Sequence, residues 1–66
     1  VENTVQQLRK HAGDTQAQLA AALGVSRQTV IAIERGRYDP SLGLALRIAR
    51  HFDATVEEIF HDESGT

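Results

Sequence analysis

Only Gly24-Val25-Ser26 separates two short helical patterns, Gln16–Leu23 and about Arg27–Arg35. In the first, Leu19, Ala20 and Leu23 fall on one face; in the second, Val30 and Ile33 point inward. Thr15 followed by Gln18 reads as a capping box opening the first helix: the hydroxyl accepts an early N–H and the amide reaches back. Gly24 closes that helix, because only glycine enters the left-handed conformation cheaply. Ser26 caps the second helix and Gly36 stops it. Two short helices joined by so tight a turn must cross steeply. A small residue is then needed where the axes approach, and Ala20 supplies it. Val25 fills the corner, while Leu19, Leu23, Val30 and Ile33 provide a shared core.

This is helix-turn-helix spacing; it also suits an ordinary αα-hairpin in a small bundle. Either way the pair needs further helices to bury it. A helix over Asn3–Ala12 carries Val5 and Leu8 on one side and stops at Gly13. Gly36-Arg37-Tyr38-Asp39-Pro40 is a turn, after which Ser41 caps a helix to about Phe52. Ala45, Ile48, Ala49 and Phe52 share its inner face. Gly43 in its first turn weakens it by about 1 kcal/mol relative to Ala. Thr55 and Glu58 form a second capping box, opening a short last helix through Phe60. The expected architecture is all-α: one five-helix domain over residues 1–60, with the paired helices at about 16–35 and a flexible tail at 61–66. At 66 residues a second core is excluded. A start at Val1 rather than Met is what a trimmed or excised chain shows.

Composition removes several function classes. There are no cysteines, hence no disulfide and no thiolate metal site. His11, His51 and His61 stand at neither i,i+3 nor i,i+4 from one another, so no metal is expected, nor any cofactor. Ser26, Ser41 and Thr55 are explained as caps rather than nucleophiles. Glu57 and Glu58 are adjacent on a helix and diverge, so an enzyme is not expected. No apolar run approaches the roughly 20 residues that cross a bilayer, which suits a cytoplasmic protein without membrane contact. The net charge of −2 argues at first against nucleic acid. Its distribution does not: residues 1–50 carry all seven basic side chains against four acids, and residues 51–66 carry five acids and neither Lys nor Arg. Nucleic acid requires local positive potential, not a basic average.

The run Thr15-Gln16-Ala17-Gln18-Leu19-Ala20, then Leu23-Gly24-Val25-Ser26-Arg27-Gln28-Thr29-Val30, then Ile33-Glu34-Arg35-Gly36-Arg37-Tyr38-Asp39-Pro40-Ser41-Leu42, resembles the Xre/Cro family of phage-repressor-like helix-turn-helix regulators. The resemblance extends from Leu8-Arg9 to Glu57-Glu58-Ile59-Phe60 and matches short, stand-alone members. It implies a phage-repressor-type DNA-binding domain, dimeric on a pseudo-palindromic operator of double-stranded DNA and acting as a repressor. Gly43, where a helix former would be expected, and the acidic average depart from the pattern. The resemblance also covers antitoxins. A protein-interaction module or antitoxin-type component, binding a partner protein through the third helix or the acidic end, is therefore the competing reading.

Residue roles follow from the same resemblance. Gln16 matches a glutamine that bonds a DNA phosphate, a natural place for it at a helix N-terminus. Arg35, Arg37 and Tyr38 would flank the groove as backbone contacts, and Thr29 is a further candidate phosphate contact. Arg9 and Glu34 match an internal ion pair; Glu34 lies about 70° from the buried direction of its helix at 100° per residue, so it needs a partner. On the same wheel Gln28 and Arg35 point away from the core, Ile31 and Ala32 lie about 130° from it, and Arg27 is on the flank. Arg27 and Gln28 have the chemistry to read guanine and adenine edges, and Ile31 and Ala32 to meet thymine methyl groups. For Arg27 a phosphate-only role stays open. Leu42, Leu46, Val56, Ile59 and Phe60 exceed what one core face can hide, which points to a homodimer interface around Val56, Ile59 and Phe60.

Overall fold

The computed structural model describes residues 1–62. Its elements are β1 (Glu2–Asn3), α1 (Val5–Ala12), α2 (Gln16–Leu23), α3 (Arg27–Glu34), α4 (Leu42–His51), α5 (Val56–Ile59) and β2 (Phe60–His61). Among the described residues five helices form the body, and a two-stranded antiparallel ribbon joins Glu2–Asn3 to Phe60–His61. In its register Glu2 faces His61 and Asn3 faces Phe60.

The helix starts are built by side chains. Thr15 accepts from the Gln18 N–H while the Gln18 amide oxygen accepts from the Thr15 N–H, at 3.0 and 2.8 Å. Ser26 and Ser41 accept from the N–H groups of Thr29 and Leu44. Thr55 and Glu58 repeat the reciprocal box at α5. At the end of α2, Gly24 takes φ 74°, and the Gly24 and Val25 N–H groups bond back to the carbonyls of Ala21 and Ala20. These bonds satisfy carbonyls that the helix end would otherwise leave open.

Leu19, Ile33, Ile48 and Ile59 are fully enclosed with Val5 and Val30 at the centre, and Ala20, Leu23, Leu44 and Ala49 complete the core. Ala20 is buried with Leu19 and Leu23 on the inner face of α2. Val25, Leu8, Phe52, Val56 and Phe60 pack around the outside of this cluster.

The ends of the chain differ from the sequence expectation. Asn3 is not in the first helix. Its amide donates to the Ile33 carbonyl at 2.8 Å, and its Oδ1 accepts from the Val5 N–H at 3.1 Å. One side chain thus starts α1 and meets a carbonyl in the last turn of α3. The last helix stops at Ile59, because Phe60 turns to extended backbone (φ −110°, ψ 126°) and pairs with β1. His61 belongs to that ribbon, so the expected tail at 61–66 does not start there; residues 63–66 lie outside the described residues. The third helix ends at Glu34, with Arg35 as its C-cap.

Candidate nucleic-acid interface

The first two residues of α3, Arg27 and Gln28, are exposed. Ile31 and Ala32, on the same outer side, are half-buried, so they present an apolar floor rather than projecting freely. Thr29 is also half-buried, and its hydroxyl shares a 2.9 Å hydrogen bond with the Ser26 hydroxyl. That commits Thr29 to the helix cap.

Behind this face lies a charged network. The Arg9 guanidinium forks onto Glu34: Nε donates to Oε2 at 2.6 Å and Nη2 to Oε1 at 3.3 Å. The Glu34 side chain is 3% exposed, so the pair is desolvated on its acidic side. Arg9 Nη1 donates to the Asp14 carbonyl at 2.9 Å, which ties the α1–α2 turn to the pair. The hydrogen bond that Arg9 donates to the Glu34 carboxylate raises the Arg9 pKa above its ordinary value, against the opposing effect of burial, and the Glu34 and Asp14 charges add to the rise. Gln16, in the first turn of α2, donates its Nε2 to Glu34 Oε1 at 3.1 Å. Among the described residues no buried side-chain nitrogen or oxygen lacks a partner.

The structure brings Gln16 and Arg27 to one surface. Both border an open recess at the start of α2, together with Arg9, Gly13 and Thr15. Arg35 is placed elsewhere: it borders a separate recess with Val1–Asn3 and His61. Arg37 and Tyr38 are exposed in the turn after α3. The Asp39 carboxylate in that turn accepts from the terminal amine of Val1 at 3.1 Å.

The expected dimer residues divide. Ile59 is fully buried in the monomer core, so it is not available to a second chain. Its side chain faces inward because α5 has a single turn and one inner face. Val56 and Phe60 are half-buried and border an apolar recess with Leu42 and Pro40. The large apolar side chains left in solvent include Leu42, 73% exposed, and Leu46, 40% exposed, both on α4.

Sequence reasoning did not find the Gln16–Glu34 bond, the Asn3 bridge, or the 3.3 Å contact between His51 Nε2 and Asp14 Oδ2. All three join residues far apart in the chain, and no spacing rule reports such pairs.

This arrangement has close parallels among known proteins. Residues 5–59 match the helix-turn-helix family. An uncharacterized HTH-type transcriptional regulator of Methanothermobacter thermautotrophicus is 52% identical over 63 residues, covering 92% of this chain and 91% of that one. One from Methanocaldococcus jannaschii is 63% identical over 46 residues, 70% of each chain. Among solved structures, the restriction-modification controller protein C.AhdI from Aeromonas hydrophila superposes with a TM-score of 0.76 at 34% identity, over 85% of each chain. With the tight glycine turn, the two capped helices and the exposed start of α3 already in place, these matches settle the class: the chain belongs to the Xre-like helix-turn-helix family of DNA-binding transcriptional regulators.

Proposed function

We propose that this regulator is a homodimeric, cytoplasmic repressor that reads a pseudo-palindromic operator with α3 in the major groove. The observation that carries this reading is the joint exposure of Arg27 and Gln28 at the start of α3, with Gln16 beside the same recess as Arg27. Gln28 presents its amide to an adenine edge and Arg27 its guanidinium to guanine, with Ile31 and Ala32 forming an apolar floor for thymine methyl groups. Gln16 and the N–H groups at the start of α2 meet one phosphate. Arg37 and Tyr38 contribute backbone contacts along the flank, Thr29 acts there only through its cap, and Arg35, on a separate recess, lies outside this set. α3, with eight residues, is about 12 Å long, enough for a few base pairs. A second copy about 34 Å away supplies the rest of the specificity. We place the dimer face on Leu42 and Leu46 of α4, which remain open to solvent, with the half-buried Val56 and Phe60 at its edge.

Selection of binding sites from random duplex DNA tests this directly. The parent protein should return a two-fold symmetric consensus. Gln28→Ala should lose about 1–3 kcal/mol on that site and relax preference at one position in each half. An unchanged consensus with unchanged discrimination would remove Gln28 from the interface.

A further inference from the structure

We infer that Glu34 is a positioning residue for DNA binding: it holds the Gln16 amide in place to meet a backbone phosphate. The inference rests on the DNA-binding reading above and assigns a role to a group that DNA never touches. Glu34 is in the last turn of α3 and its side chain is 3% exposed, so it cannot contact a duplex itself. Its Oε1 accepts from Gln16 Nε2 at 3.1 Å, a bond that spans the motif from the end of α3 to the start of α2.

Three physical consequences follow. A glutamine side chain in solvent samples many rotamers, and ordering it on a phosphate costs conformational entropy. Tethered to Glu34, the Gln16 amide is ordered before DNA arrives. Nε2 carries two hydrogens, and the bond to Glu34 uses one. The other remains for a phosphate oxygen. An uncompensated carboxylate one residue behind the contact would repel the DNA backbone. Arg9 cancels that charge through its fork of 2.6 and 3.3 Å, and its third bond, 2.9 Å to the Asp14 carbonyl, stops the fork from swinging away. The network therefore offers DNA an amide dipole rather than a net charge.

The test is a thermodynamic cycle read by fluorescence polarisation on the selected operator, with the parent protein, Gln16→Ala, Glu34→Leu paired with Arg9→Met so that neither the acceptor nor an unpaired charge remains, and the combined variant. Gln16→Ala should weaken binding about 5–30-fold without changing the salt slope, since a neutral amide releases no counterion. Removing the two charges acts equally with or without Gln16 and cancels in the cycle, so the surviving term reports positioning alone. The expected coupling is at least about fivefold. Additive losses would overturn the inference while leaving DNA binding intact; failure of the parent to bind any duplex would overturn the DNA-binding reading itself. A measurement on the parent protein needs no variant. Nitrogen-15 relaxation of side-chain amides should show Gln16 more rigid than the exposed Gln6 and Gln7. Equal mobility of the three would equally sink the proposal.

Discussion

Replacing Arg9 by alanine should strongly destabilise this domain. The substitution removes the 2.6 and 3.3 Å bonds to Glu34 and leaves a carboxylate, 3% exposed, without its counter-charge. Breaking a buried pair from one side costs about 3–5 kcal/mol, against less than about 1 for a solvent-exposed pair. Glu34 keeps the hydrogen bond from Gln16, which favours the lower end, about 3 kcal/mol. The Asp14 carbonyl loses its donor as well. A domain of this size has roughly 3–10 kcal/mol of stability at about 0.05–0.15 kcal/mol per residue. One side chain is thus set against a third or more of the whole. With a urea slope of about 1 kcal/mol per molar for a small protein, the midpoint should fall by about 3 M. Urea unfolding followed by circular dichroism reads this directly. A midpoint within about 0.5 M of the parent would refute the reasoning, because it would mean that Glu34 is solvated in solution. A companion variant, Arg9→Met with Glu34→Leu, removes both charges together and should recover most of the loss.

Three further outcomes are expected. Gly43→Ala should raise stability by about 1 kcal/mol, or roughly 4–8 °C in Tm, since α4 gains a better helix former and the added methyl group meets nothing within 4 Å. Leu42→Glu with Leu46→Glu should shift the protein from dimer to monomer in light scattering while leaving its circular dichroism unchanged; a parent that is itself monomeric at high concentration would refute the dimer face. The Glu58 carboxyl is held below its ordinary pKa by the Thr55 N–H and hydroxyl of its capping box, so its contribution is present above the usual carboxylate range and is lost as the pH falls through the lowered value. The protection factor of the Thr55 amide, its exchange measured against the intrinsic rate at each pH, should therefore fall in acid, and Glu58→Gln, which keeps an acceptor, should abolish that acid dependence.

The parts legible in the sequence are those governed by neighbours along the chain. Thr15 with Gln18, Gly24, and Ser26 act within four residues of the backbone they cap, and α2 runs over Gln16–Leu23 as its punctuation indicates. The outward set on α3 was also accessible, because a helix has one period and Val30 with Ile33 fixes its phase. The wheel could not say how deep the flanks lie, and Ile31 and Ala32 are less exposed than their angles imply. Two-residue strands carry no period, so β1 and β2 left no trace in the pattern. The apolar surplus of α4 and α5 was real, but counting cannot assign it. Ile59 went to the core, while Leu42 and Leu46 stayed outside. The Gln16–Glu34 bond depends on where two helix ends meet, which only the assembled fold determines.

The Arg9–Glu34 pair also bears on why so small a domain keeps a desolvated ion pair. If stability alone were at stake, well-packed apolar side chains of similar volume would serve at least as well, since a buried pair gives back in attraction little more than it loses in desolvation. What an apolar pair cannot do is hold a polar side chain. Gln16 needs an acceptor behind it, and within reach that acceptor is Glu34. A carboxylate in that place needs a cation, which must come from outside the two paired helices so that their outer face stays free. Arg9 on α1 meets that requirement and fastens the α1–α2 turn in the same act. The proposed phosphate contact therefore accounts for Glu34, and Glu34 accounts for Arg9. On that proposal, stability and DNA affinity depend on the same few hydrogen bonds and cannot be adjusted independently there.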